Sequence, residues 1–308
     1  MADTVATSAA LGATPSAPRS SPLRPMSGRR SALAQLAEIV RFRELLGMLV
    51  RKELTVRYKN SVLGFTWSML QPLFLLAVYS VVFAILGAGF ASFAIWVLCG
   101  LLVWNLISSS LVTSTVSITA NAPLVGKVRF PRAVLPLASV GGALVHFCLQ
   151  VAAFAVVLAI TTHPVDWTYM WLLPIALATC LLVCAAWALV LAPCNVYARD
   201  TAHLLDLLVL GWFWATPVLY QYERAATWGA AHGLPEWIWL INPATPVVIT
   251  FQRALYGADH AGNTALLPPH GPAWYLVVLL VTAALWTVIG YLALRLFDRA
   301  DVKMAETL

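Results

Sequence analysis

Apolar residues fill this chain in long blocks separated by short polar turns, a pattern with neither the alternation of a half-buried strand nor the single stripe of a soluble helix. A helix crossing hydrocarbon needs about 20 predominantly apolar residues. Six blocks reach or approach that length: 62–86, 93–113, 134–160, 169–191, 204–220 and 274–297, the fifth being the shortest. They predict an all-α integral membrane protein in which residues 61–308 form a domain of six transmembrane helices.

Ahead of the first block, 35–60 reads as a cytosolic amphipathic helix lying on the membrane. Leu36, Ile39, Val40, Leu46, Val50 and Leu54 share one side, while Arg41, Arg51 and Lys52 on the other flank suit anionic headgroups. Arg43 interrupts the stripe and Leu45 falls opposite it. Residues 1–34, rich in Ala, Ser, Thr and Pro, predict a disordered cytosolic tail that buries too little to fold. This tail has no continuous apolar core of a signal peptide. Between the fifth and sixth blocks, Val247, Phe251 and Leu255 recur at helical spacing with Gln252 and Arg253 off their stripe, and Pro243, Pro246 and Gly257 punctuate the ends. Short re-entrant helices dipping into the outer leaflet are expected there.

Composition agrees: 61% of the 308 residues are hydrophobic and only 10% charged, with a mean hydropathy of +0.82, more apolar surface than a soluble core of this length hides. Of the 19 Lys and Arg residues, ten precede the first block, three lie between the second and third, one between the fourth and fifth, and three at the C-terminal end. The first-to-second and third-to-fourth connections have none, and Arg224 and Arg253 follow the fifth block. By the positive-inside rule both termini are cytosolic. The net charge of +6 then reads as membrane topology and contact with lipid, with no call for nucleic acid.

Ionisable groups deep in a bilayer mark ion paths or proton relays. Here Asp206 falls near the cytosolic end of the fifth block and Arg295 at the end of the sixth, which leaves His146 as the mid-span candidate. A lone His reads as a hydrogen-bonded packing residue, so proton-driven transport is disfavoured. Cys180 and Cys184 stand one helical turn apart with no His or carboxylate nearby in sequence, which favours packing over metal ligation. No G-x-S-x-G, H-E-x-x-H or G-x-x-x-x-G-K-[ST] pattern occurs, and Gly126-Lys127 lacks the preceding glycine of a phosphate cradle. The expectation is a chain with no catalytic residue, metal or cofactor, which receives its energy from a partner.

The cytosolic segments carry a resemblance. ELTVRYKNSVLGFTWSMLQPL at 53–73, NAPLVGKVRFPRAVLPLAS at 121–139, NVYARD at 195–200, ATPVLY at 215–220 and INPATPVVITFQRALYG at 241–257 together resemble the permease subunits of ABC-2 type polysaccharide exporters, which move O-antigen and teichoic-acid chains. Their order and spacing carry the likeness from about residue 45 to the end.

The resemblance implies a homodimeric pore in a bacterial plasma membrane, docked on two copies of a separate ATP-binding subunit and exporting a lipid-linked polysaccharide. It implies that the second-to-third loop is the coupling element. There Pro123 and Pro131 bracket a segment in which Lys127, Arg129 and Arg132 offer cations and Phe130 an apolar knob. Arg51, Lys52, Glu53, Arg57 and Tyr58 form the second expected contact. A polysaccharide slides over aromatic faces, so Tyr79, Trp96, Trp104, Trp212 and Trp214 are candidates for its path, with Asn105 on the polar flank of the second block. Trp and Tyr also gather at bilayer interfaces, so both readings stand for these rings. Two rival functions remain: an ABC-2 exporter of drugs or lipids, and a membrane-embedded transferase acting on lipid-linked sugars.

Overall fold

The computed structural model describes residues 32–58, 92–127, 130–257, 260–261 and 264–307, with scattered positions between 70 and 85. Its helices are α1 (Ala32–Arg41), α2 (Arg43–Tyr58), α3 (Phe93–Ala120), α4 (Ala122–Lys127), α5 (Val134–Thr161), α6 (Trp167–Met170), α7 (Leu173–Tyr197), α8 (Asp200–Trp214), α9 (Tyr222–Ala231), α10 (Ala244–Tyr256) and α11 (Pro272–Thr307). A 3₁₀ turn, Glu236–Leu240, precedes α10, and a two-residue antiparallel pairing of His260–Ala261 with Thr264–Ala265 follows it.

Among the described residues, α3, α5, α7 and the stretch Pro272–Asp301 of α11 are long and apolar enough to cross a membrane. The chain is therefore a multi-pass membrane protein. The block at 62–86 falls mostly outside the described residues, and so does the tail as far as residue 31.

The fifth block differs from its expectation. Its helix, α8, has 15 residues and ends at Trp214, about 22 Å long at the usual rise per residue. Thr216 precedes Pro217, whose ring disfavours helical geometry at the residue before it, so 215–220 turns away. The fourth helix starts later than expected, at Leu173, because 167–170 forms a separate turn capped by the Asp166 carboxylate on the Thr168 N–H. It then continues through Pro193 to Tyr197.

The second helix runs on to Ala120, well past residue 113, through a stretch rich in Ser and Thr. Those hydroxyls fold back on the helix. Thr113 donates to the Ser109 carbonyl at 2.6 Å, Thr115 to Leu111 at 2.7 Å and Ser117 to Ser114 at 2.6 Å, which lets polar side chains lie buried without foreign partners.

A turn residue, Phe42, separates α1 from α2, yet Ile39, Leu46 and Val50 of the expected stripe pack on one apolar cluster, and Leu45, expected opposite, joins them. Val40 points outward, and Leu49, absent from the expected stripe, is the most buried residue of α2. Ile39 and Leu49 share an apolar cluster with Phe297 and Met304 of α11, so both ends of the described chain meet at one end of the helical body.

Helix α3 is the axis, packed against α5, α7, α8 and α10, while α11 lies along α7. The outer row of α11, including Val277, Val281, Leu285, Val288, Leu292 and Leu296, is exposed. In a bilayer such a row meets acyl chains. The expected amphipathic stripe on α10 is corrected: Gln252 and Arg253 are buried along with Val247, Phe251 and Leu255. The helix is surrounded by α3, α6 and α7, so no side of it is left to face lipid. It ends at Gly257, whose φ of 76° is left-handed, and a Cβ there would stand 2.8 Å from the Pro164 carbonyl. Only glycine satisfies both demands.

Candidate functional site

Two regions of the body gather the residues singled out by sequence. The first is the end where α1, α2, the 130–132 turn and the tail of α11 meet. Phe130 is half-buried against the apolar cluster there, and Pro131 leads directly into the turn that opens α5. Arg132 does not stand free: one nitrogen lies 3.1 Å from an Asp301 carboxylate oxygen and donates to the Asp301 backbone carbonyl at 2.9 Å. The turn is thereby fastened to α11. Tyr197, at the end of α7, donates to the Ala300 carbonyl at 2.7 Å and adds a second tie to the same stretch.

On α2 the charged residues divide. Arg51 and Lys52 are exposed, and the Lys52 ammonium donates to the Asn121 side chain at 2.7 Å. Asn121 closes α3 by donating to the Ser117 carbonyl at 2.8 Å, so Lys52 links α2 to the α3–α4 corner. Glu53 turns inward instead, accepting from Ser139 Oγ at 2.6 Å. Lys127 belongs to α4, and Arg57 and Tyr58 end α2, but these three side chains lie outside the described residues, as does Arg129 entirely.

The second region is aromatic. Trp104 meets Trp212 edge to face with centroids 6.0 Å apart, and Phe213 at 5.5 Å. Trp187 extends the row, 6.1 Å from Trp212 and 5.8 Å from Trp286. Trp214 is 57% exposed, Trp212 and Asn105 are half-buried, and Trp104 is nearly covered. Trp96 stands apart from them. It has no exposed surface and packs edge to face on Tyr256 at 5.4 Å, so within one copy it meets no passing molecule. Tyr79 lies outside the described residues.

What sequence reasoning missed is how this row is held. Asn242 Nδ2 donates to the Ala215 carbonyl at 3.1 Å and the Thr216 hydroxyl at 3.0 Å, while its Oδ1 accepts from Trp212 Nε1 at 2.7 Å and the Ala244 N–H at 3.1 Å. Ten residues on, buried Gln252 donates to the Pro217 and Val218 carbonyls at 3.2 and 3.4 Å. Two of the stretches quoted above, 215–220 and 241–257, thus bond to each other. The signal was an Asn before Pro at a helix start, a placement that favours side chain to backbone capping.

Below α10, His163 bonds the Tyr256 carbonyl at 2.8 Å and the Asp166 N–H donates to the Ala254 carbonyl at 3.1 Å. The Arg253 guanidinium lies 4.6 Å over the Tyr169 ring, which compensates part of its burial. His146, the mid-span histidine, is buried and lines a small cavity of about 60 Å³ between α2, α3 and α5. Among the described residues no group of His, Cys, Asp or Glu is placed to hold a metal ion.

Residues 44–256 match the family model described as ABC-2 type transporter. A Klebsiella pneumoniae protein named O-antigen export system permease protein RfbA is 26% identical over 269 residues, spanning 86% of this chain and 95% of that relative. A Myxococcus xanthus protein of the same name is 30% identical over 273 residues, spanning 88% and 98%. With a spanning helical body, a family match over residues 44–256 and alignment with these permeases over most of its length, this chain belongs to the ABC-2 type transporter family.

Proposed function

We propose that this chain is the membrane permease of an O-antigen export system, passing a lipid-linked polysaccharide across a bacterial plasma membrane. The observation that carries the reading is the similarity, over most of the chain, to two permeases of that name. In this reading 62–86 and the short helix α8 complete six spans, both termini are cytosolic, and α10 with its neighbours forms a re-entrant outer element. Two copies enclose the path, and each rests on one copy of a separate ATPase.

The division of labour follows from chemistry. Moving a hydroxyl-rich polymer through hydrocarbon requires a sheltered route, because an unpaired polar group costs several kcal/mol in lipid. Rings stack on the C–H faces of sugars and offer no single deep well. Trp104, Trp212, Trp214 and Asn105 are assigned to that route, and Tyr79 is assigned to it from the sequence alone. Trp96 supports it by packing. Energy enters at the end that holds Arg51, Lys52, Phe130 and Pro131, with Arg57, Tyr58, Lys127 and Arg129 assigned to the same task from the sequence, and Arg132 orients the turn through Asp301.

The test is genetic and biochemical. In a strain deleted for its own O-antigen permease, this chain with its ATPase restores surface polymer, whereas the ATPase alone leaves lipid-linked polymer on the cytosolic face. Normal surface O-antigen in a source strain lacking this chain refutes the reading.

A further inference from the structure

Helix α2 meets α5 at two consecutive glycines. A Cβ on Gly141 would stand 2.9 Å from a Val50 methyl, and one on Gly142 would stand 2.7 Å from Glu53 Oε2. The other Glu53 oxygen accepts from Ser139, which is itself buried. Thus the carboxylate is gripped between a hydroxyl and a glycine one turn apart on α5. On the remaining side lies the cavity of about 60 Å³, lined also by Ser109, Thr113 and His146, with room for roughly two waters beside the carboxylate.

Beside this bond, Leu46, Leu49 and Val50 of α2 pack on the shared apolar cluster, and Lys52 ties the helix to Asn121 at the α3–α4 corner, away from α5. Apolar contact is non-directional, and such surfaces slide past one another at low cost. A charge-assisted hydrogen bond of 2.6 Å is directional and short-ranged. Its placement on the inward face, while Arg51 and Lys52 face outward, separates two tasks on one helix turn.

We propose that Glu53 is a positioning residue that fastens α2 to the spanning helix α5, so that a displacement of α2 is delivered to α5 and not lost in slippage. This rests on the reading that α2 faces the ATPase, but it removes Glu53 from the docking surface itself. Gly142 is the seat that admits the carboxylate.

The experiment uses the whole complex in proteoliposomes and measures ATPase retained on tagged permease, ATP hydrolysed, and polymer transported per ATP. Glu53→Ala lowers polymer per ATP roughly tenfold, the scale of one lost charge-assisted hydrogen bond, with the ATPase still bound. Glu53→Gln keeps an oxygen for Ser139 and recovers most of the ratio. Gly142→Ala moves only the end of a flexible side chain, leaves the protein folded and lowers the ratio as well. The proposal is overturned by an unchanged ratio in Glu53→Ala, by loss of bound ATPase in that variant, or by absence of the variant from the membrane while Gly142→Ala transports normally. Failure of the unaltered permease to retain any ATPase is a separate result, and it refutes the docking reading instead.

Discussion

The Trp212 indole donates to Asn242 at 2.7 Å, so a ring assigned to the transport route is aimed by a residue 30 positions further along the chain. Because the same amide also holds the Ala215 carbonyl and the Thr216 hydroxyl, the end of α8 and the start of α10 move as one piece. The turn between them is neither helix nor free loop. It is a bracket.

Asn242→Ala removes four hydrogen bonds at once, three of them partly buried, and is expected to cost roughly 2–4 kcal/mol. Asn242→Asp keeps the acceptor for Trp212 and the Ala244 N–H but loses both donors, so it falls between the two. Thermal unfolding in detergent ranks the three proteins; equal midpoints for Ala and wild type contradict the bracket.

Trp104→Ala and Trp212→Ala are each expected to slow polymer export, measured as surface glycan per unit of folded permease. Trp104→Phe preserves a ring at the Trp212 edge and stays near the wild-type rate. Normal export in both Ala variants removes the aromatic route.

Arg132 and Asp301 are partly exposed, so breaking the pair costs stability only about 1 kcal/mol or less. Coupling is the sharper readout. Arg132→Asp alone lowers ATP-driven export, and the double exchange with Asp301→Arg restores it, because the tie and not the cation is what the turn needs. Lack of rescue assigns Arg132 to direct contact with the ATPase.

Gly257→Ala forces a Cβ into left-handed backbone and against the Pro164 carbonyl, which costs at least about 1–2 kcal/mol from the backbone alone. A lowered unfolding midpoint is expected; an unchanged one shows that α10 ends differently.

Much of this was legible from hydrophobicity. The runs that became α3, α5, α7 and α11 stood out because a helix that crosses hydrocarbon carries few polar residues. What stayed hidden had one cause: hydropathy reports burial but not partners. It made 204–220 look continuous, although Thr216-Pro217 turns the chain and Asn242 secures it. It stopped the second span at residue 113, although Thr113 and Thr115 satisfy themselves within the helix. In the candidate site, charge alone grouped Glu53 and Arg132 with the outward cations, and only geometry separates residues that bond within the chain from those left exposed.

The central claim is that this chain supplies the route and a separate ATPase supplies the work. The most direct test reconstitutes the purified permease in proteoliposomes with a lipid-linked polysaccharide, with and without the ATPase and ATP. The account predicts that polymer becomes accessible across the bilayer only when permease, ATPase and ATP are all present. Transport, or chemical turnover of the substrate, by the permease alone would contradict it.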